Sequence, residues 1–295
     1  MKMEERIFCD VDAVFGRRET AAAVIVPVPY DGTSTWGKGA DRGPEALLDA
    51  ADNMELYDIE TGVEVHRKGV HLAQAVTESA SPESMCAAVK TAVAEVLAEG
   101  KVSVLIGGEH SVSIGAIEAC AEAHEGLTVL QIDAHADLRP SYLGSACNHA
   151  CAVHWASRNC NLVQVGIRSM DKLEKEFEQP GNVFYASDCH YRPDAEWIAA
   201  ALDRCGPPGS PMYLTIDLDA FDPAYCPDTG TPEPGGLDWW QVTALVKGAM
   251  ERFDVVGFDV VELAAHEKSK PSNFLAAKLL YKMLTYRLGG ERDLV

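Results

Sequence analysis

Thr128-Val129-Leu130-Gln131-Ile132-Asp133-Ala134-His135-Ala136-Asp137 changes character at its midpoint. Thr128–Ile132 is a short run of β-branched and apolar residues bounded by polar chain, the length and composition of a buried strand. Beyond it, carboxylates and an imidazole occupy alternate positions. Side chains two apart on an extended strand end face the same side, so Asp133, His135 and Asp137 are expected to address one point. Read alone, the stretch also fits a polar turn with a satisfied histidine. Recurrence of the pattern decides between the two.

Leu214-Thr215-Ile216-Asp217-Leu218-Asp219 repeats it, with two carboxylates at the end of a second apolar run, Met212–Ile216. Upstream, Val102–Ile106 runs into Gly107-Gly108-Glu109-His110-Ser111, where glycines allow close backbone approach and His110 can reach inward. Further strands are read at Ala22–Val28, Asn161–Val165, Val183–Tyr185 and Val255–Val260. Helical segments alternate with them. Gly43-Pro44-Glu45-Ala46-Leu47-Leu48 and Ser81-Pro82-Glu83-Ser84 place proline just inside a helix start, and Ser272–Leu288 has the length of a closing helix. Strands alternating with helices imply a three-layer α/β/α fold with a mainly parallel central sheet. With no internal repeat and no dividing linker, residues 1–295 read as a single domain. The irregular stretches Tyr30–Gly43, Arg139–Asn148 and Phe221–Gly236 are then expected to line a crevice at the carboxyl ends of the strands.

Composition narrows the class. Against 45 acidic residues stand 25 basic ones, a formal charge of −20 that disfavours nucleic acid and anionic membranes and favours a small cationic partner. The 9 cysteines are scattered without paired spacing, as in a reduced cytoplasmic protein. Cys147 and Cys151, four apart, read as one turn of helix carrying unreactive thiols. Met1-Lys2-Met3-Glu4-Glu5-Arg6 has no signal-peptide character, and no apolar run is long enough to span a bilayer, so a cytoplasmic location is expected.

The three clusters supply two imidazoles, His110 and His135, and four carboxylates, Asp133, Asp137, Asp217 and Asp219. Gathered in a low-dielectric site they demand cations, because adjacent anions repel strongly there. An oxygen-rich set with some imidazole suits Mn²⁺ or a similar hard divalent ion, and six ligands suffice for two such ions with bridging carboxylates. A pair of ions sharing one water is hydrolytic machinery.

In order along the chain, Gly107-Gly108-Glu109-His110, Asp133-Ala134-His135-Ala136-Asp137, Asp217-Leu218-Asp219, Thr229-Gly230-Thr231-Pro232-Glu233-Pro234-Gly235-Gly236 and Gly257-Phe258-Asp259-Val260-Val261-Glu262 resemble the signatures of the arginase and agmatinase ureohydrolases. Pro29-Tyr30-Asp31-Gly32-Thr33 and Gly43-Pro44-Glu45 extend the resemblance towards the N-terminus. It implies an arginase-like fold, two manganese ions on the six ligands with Asp133 and Asp219 as bridging acids, and assembly into a homo-oligomer, commonly a trimer or hexamer. It also implies that His149 is a mobile residue that shuttles protons or helps hold the substrate and that Glu262 pairs with a substrate guanidinium; the chemistry of hydrolysis, which must move a proton from the attacking water to the departing amine, makes Asp137 its expected carrier. The segment Arg139–Asn148 looks more like the agmatinase branch than the arginase branch, which makes agmatine the expected substrate. Aminopropylagmatine, guanidinobutyrate and arginine remain alternatives, as does a non-catalytic subunit. Arg139, Asp228, His266 and Glu267 are expected near the pocket mouth, where Asp228 or Glu267 could meet a distal ammonium and Arg139 a carboxylate.

Overall fold

β1 (Ala23–Val28) shows how the centre of the molecule is built: Val24, Val26 and Val28 pack on one face, Ala23 and Ile25 on the other, and every residue is buried. A strand covered on both faces belongs in a parallel sheet between helical layers. Seven more strands join it: β2 (Val70–Leu72), β3 (Val102–Gly107), β4 (Thr128–Ile132), β5 (Asn161–Ile167), β6 (Val183–Tyr185), β7 (Pro211–Asp217) and β8 (Asp254–Val261). In the computed structural model, which describes residues 6–266 and 269–289, all pairings are parallel. The eight-stranded sheet has the order β2-β1-β3-β8-β7-β4-β5-β6. The α/β/α architecture expected from the sequence is therefore present, with a wholly parallel sheet. β2 escaped the sequence reading because three residues with His71 at their centre carry no periodic signal.

The helices are α1 (Gly43–Ala51), α2 (Pro82–Ala98), α3 (Val112–Ala123), α4 (His154–Asn159), α5 (Ala186–Tyr191), α6 (Asp194–Arg204), α7 (Trp239–Arg252) and α8 (Pro271–Leu288). Leu47 of α1, Trp197 of α6, Val246 of α7 and Leu280 of α8 share one core, while Val89 of α2, Ile117 of α3 and Ala156 of α4 share the core on the opposite face. α2 starts as its sequence predicts: Ser81 and Ser84 cap each other and Pro82 occupies the first turn. Among the described residues no helix is long and apolar enough to cross a membrane.

One local expectation fails. Cys147 and Cys151 do not share a helix; the chain is irregular to Asn148, and only His149–Cys151 forms a 3₁₀ turn. Asn148 is extended, and its side chain accepts the Ala150 N–H, so the turn begins there rather than at Cys147. All nine cysteines are free thiols.

α2 and α3 approach so closely that a Cβ on Gly115 would lie 2.2 Å from the Cys86 carbonyl oxygen and 2.9 Å from the Lys90 nitrogen. Gly115→Ala is thus expected to destabilise the protein by about 1–3 kcal/mol, despite alanine's higher helix propensity. A thermal midpoint equal to or above that of the wild type would contradict this packing.

Candidate functional site

β3, β8, β7 and β4 are consecutive in the sheet, and each ends in one of the polar motifs. β3 leads into Gly108, whose N–H donates to the Val28 carbonyl, and into Glu109, whose N–H donates to Tyr30. A Cβ on Gly108 would lie 1.9 Å from the Tyr30 carbonyl oxygen, so only glycine lets the two segments meet and His110 enter. Asp259 and Glu262 arrive on β8 and its C-terminal exit, Asp217 ends β7, and Asp133 follows β4 directly.

The carboxylates and imidazoles converge, although not by strand alternation. β4 stops at Ile132, and Asp137 sits in the left-handed region with φ 50°. Asp217 ends a strand, while Asp219 lies on the 3₁₀ turn Leu218–Ala220 and donates its N–H to the Asp217 carboxylate at 2.8 Å. His110 Nδ1 lies 3.1 Å from Asp133 Oδ2, 3.1 Å from Asp137 Oδ2 and 3.5 Å from Asp217 Oδ2. His135 Nδ1 lies 2.9 Å from Asp219 Oδ2 and 3.8 Å from Asp133 Oδ1. Two sets of potential ligands result, His110–Asp133–Asp137 and Asp133–His135–Asp219. Asp133 belongs to both. Asp219, expected from the resemblance to bridge, belongs only to the second, whereas Asp217 stands beside the first.

The surroundings of His110 prepare it to ligate. Thr215 Oγ1 donates to Asp259 Oδ1 at 2.7 Å, so its 2.9 Å contact with His110 Nε2 must be a hydrogen bond donated by the imidazole. That assigns the ring proton to Nε2 and leaves Nδ1, which has no hydrogen-bond partner, aimed among three carboxylates. An orphaned imidazole nitrogen in an oxygen-rich cage fits a hard divalent cation. Without one, protons take its place. Burial disfavours charge on His135, yet Asp219 and its neighbours push it up to about 11; burial, reinforced by Asp133, pushes Asp137 up to about 7. Burial also raises Asp217 well above the carboxylate range, Asp219 adding to it. Metal binding must therefore expel protons.

Glu262 completes the floor of the site. It too has a positive φ, 66°, and its Oε1 accepts the His110 N–H at 2.8 Å. Burial raises its carboxyl well above the ordinary range, and nearby Glu109 raises it further. His149 stands at the side, its backbone N–H on Thr33 Oγ1 at 3.0 Å, and burial lowers its ring to about 4.

A cleft of about 330 Å³ opens over this cluster; Asp137, His149, Asp217 and Glu262 line it below, and Arg139, Tyr142, Asp171 and Glu174 line its outer wall. Arg139 faces Asp171 at 3.5 Å and Glu174 at 3.9 Å and lies 4.6 Å from the Tyr142 ring centroid, so two carboxylates outweigh one guanidinium. A wall of that balance suits a cation better than the carboxylate that an unpaired Arg139 would attract.

Other pocket-mouth expectations are corrected. Asp228 is buried and accepts hydroxyls of Ser269 and Ser272, both at 2.6 Å, while its carbonyl accepts the Ala264 N–H. It pins the chain after Glu262 to the start of α8 and does not line the cleft. His266 is exposed and also outside the lining; Glu267 lies outside the described residues. Sequence reasoning missed Thr33, Thr215, Asp171, Glu174 and Arg168. The Arg168 guanidinium donates to the carbonyls of Gly166, Asp219, Ala220, Phe221 and Glu233, holding the Asp219 loop in place. Thr33 and Thr215 stand inside quoted motifs but without a read role, the other three stand in none, and only contact reveals what all five do.

Known proteins resemble this chain along most of its length. The model of the Arginase family matches residues 21–285. The chain is 36% identical to the N(1)-aminopropylagmatine ureohydrolase of Synechocystis sp. over 90% of this chain and 89% of that one. It is 35% identical to an enzyme of the same name from Thermus thermophilus, over 91% and 92% of the two chains. The crystal structure of agmatine ureohydrolase of Thermoplasma volcanium superimposes with a TM-score of 0.84 at 30% identity, covering 96% of this chain and 94% of that one.

Thr215→Val removes the acceptor for His110 Nε2–H and is expected to weaken divalent-metal affinity by about 10–100-fold, read by chelator competition; wild-type affinity would refute the tautomer assignment. In metal-free protein, Asp137 keeps its proton up to about pH 7 when folded but only to its ordinary 3.8 when unfolded. The folded state therefore binds more protons between these values, and stability falls as pH rises through that window. The thermal midpoint should drop more steeply from pH 4 to pH 7 in wild type than in Asp137→Asn, and equal slopes would exclude Asp137 as the source.

Proposed function

The chain belongs to the arginase family, and within it we propose a ureohydrolase that cleaves the guanidino group of a linear, agmatine-type cation, N1-aminopropylagmatine foremost, releasing urea. One observation carries this reading. A single cleft opens over the two ligand sets, with His135, Asp137 and Glu262 in its lining and an excess of carboxylate on its outer wall. A substrate cationic at both ends is what such a cleft accommodates. The names of the relatives support the longer polyamine; the structural likeness to agmatine ureohydrolase keeps agmatine as the second reading.

His110, Asp133 and Asp137, with Asp217 alongside, would hold one Mn²⁺, and Asp133, His135 and Asp219 the other. Two ions bound there supply Lewis acidity and make water nucleophilic at neutral pH. The rest is the work of the chain. The Glu262 carboxylate pairs with the guanidinium N–H groups and fixes the carbon against the cluster. Attack by water on that carbon releases a proton, which Asp137 takes at a carboxylate oxygen. Collapse of the tetrahedral carbon needs a proton on the departing nitrogen, delivered by Asp137 or by His149 at the cleft wall. Guanidinium plus water becomes urea plus an alkylammonium ion, so charge and atoms balance. Asp171, on the wall that the buried Glu174 fixes, holds the far ammonium in line.

Manganese-loaded protein should release urea from N1-aminopropylagmatine, then agmatine, in preference to arginine and guanidinobutyrate. Asp219→Ala should be inactive, Glu262→Gln should lose at least about 100-fold in kcat/KM, and Asp171→Asn should raise KM by about tenfold with kcat nearly unchanged. Full metal occupancy with no urea from any of the four compounds would overturn the reading.

A further inference from the structure

Thr33 sits where the loop after β1 meets the end of β3, and it touches both Glu109 and His149. The hydroxyl lies 2.8 Å from Glu109 Oε1, 3.0 Å from the His149 backbone nitrogen and 3.1 Å from His149 Nδ1. Glu109 is wholly buried. Its Oε1 accepts from the Thr33 N–H and the Ser111 hydroxyl, and its Oε2 from the Ser111 N–H. Both carboxylate oxygens thus face donors, and the one hydrogen of the Thr33 hydroxyl is directed to Glu109. The remaining lone pairs of Thr33 Oγ1 can only accept, so the His149 backbone N–H and Nδ1 must both donate to it.

From this geometry we infer that Thr33 and Glu109 are positioning residues that hold His149 as its Nδ1–H tautomer and present a bare Nε2 to the cleft. His149 lines the cleft, and its other ring nitrogen is occupied by Thr33. A bare Nε2 can accept a proton and pass it on; the opposite tautomer would offer an N–H and block that exchange. The device is anchored by backbone. Glu109 N–H donates to the Tyr30 carbonyl at 2.9 Å, which fixes the register between the Thr33 loop and the strand end that carries His110. The chain from Glu109 through Thr33 to His149 mirrors that from Asp259 through Thr215 to His110, with the opposite nitrogen protonated. In both, a buried carboxylate orders a threonine hydroxyl, which in turn orders an imidazole. The inference rests on the ureohydrolase reading for its catalytic consequence but not for its geometry.

The test is a ¹⁵N spectrum of the histidine side chains in full-length protein loaded with diamagnetic Zn²⁺, His149 being identified by the signal lost in His149→Asn. Wild type should show His149 protonated at Nδ1. Thr33→Val should move it towards the Nε2–H form and lower kcat of the manganese-loaded enzyme by about 10–100-fold, with KM changed by less than about threefold. Thr33→Ser should restore both the spectrum and kcat. An Nε2–H tautomer in wild type, an unchanged spectrum in Thr33→Val, or failure of Thr33→Ser to restore it would overturn the inference. Absence of urea from every guanidino compound would defeat the ureohydrolase reading while leaving the tautomer result to stand on its own.

Discussion

Negative charge buried at one end of a parallel sheet is the constraint to which the rest of the structure answers. Asp133, Asp137, Asp217, Asp219 and Glu262 are all at least nine-tenths buried around His110 and His135. So many carboxylates cannot stay ionised together in a low-dielectric interior without compensation. Part of it comes from backbone N–H groups: His135 donates to Asp133, Ala134 to Asp219 and Asp219 to Asp217. The rest must be cationic, supplied by protons in the metal-free chain and by divalent ions in the loaded one.

Holding that arrangement requires backbone that ordinary packing would not choose. Asp137 and Glu262 both adopt positive φ, a conformation that costs about 1–3 kcal/mol for residues other than glycine and persists only where the surroundings enforce it. Those surroundings are identifiable. Glu262 is bonded through its N–H to Gly108 and through its carboxylate to His110. The Asp137 carbonyl accepts the Val153 N–H. Asp228 and Arg168 lie further out, each directing its charge to chain segments that follow a site residue rather than to substrate.

Under the proposed function, this division between floor and wall lets one site treat the two ends of a substrate differently. In the proposed reaction, the candidate metal ligands and Glu262 at the floor address the reacting guanidino carbon. On the outer wall, Asp171 and the buried Glu174 behind it outnumber Arg139 and leave a negative balance. Glu174 doubles as a structural part, accepting the N–H groups of Leu138 and Asp171 and so fixing the wall on which Asp171 stands.

Local pattern was sufficient for seven of the eight strands, for the α/β/α layering and for the carboxylates and imidazoles that converge, because each motif stands directly after an apolar run whose period and length are visible in a few residues. It also placed the site at the carboxyl ends of the strands. Pattern was insufficient wherever a residue's role depends on what lies beside it. Sheet order puts β8 and β7 between β3 and β4, so His110, Glu262, Asp217 and Asp133 become neighbours although they are spread over half the chain. Strand alternation identified the right residues at 133–137 for a reason the backbone does not follow, since the chain turns there through the positive φ of Asp137. Asp228 was placed at the pocket mouth and proved to be a lock; Thr33 and Thr215 stood inside motifs with no role of their own and set the tautomers of two histidines. Reading the residues in order was enough to show which chemical groups are present and that they meet at strand ends. Which carboxylate is shared, which cation is already paired and which ring nitrogen is bare emerged with the fold, because these depend on distances of about 3 Å between segments far apart in the chain.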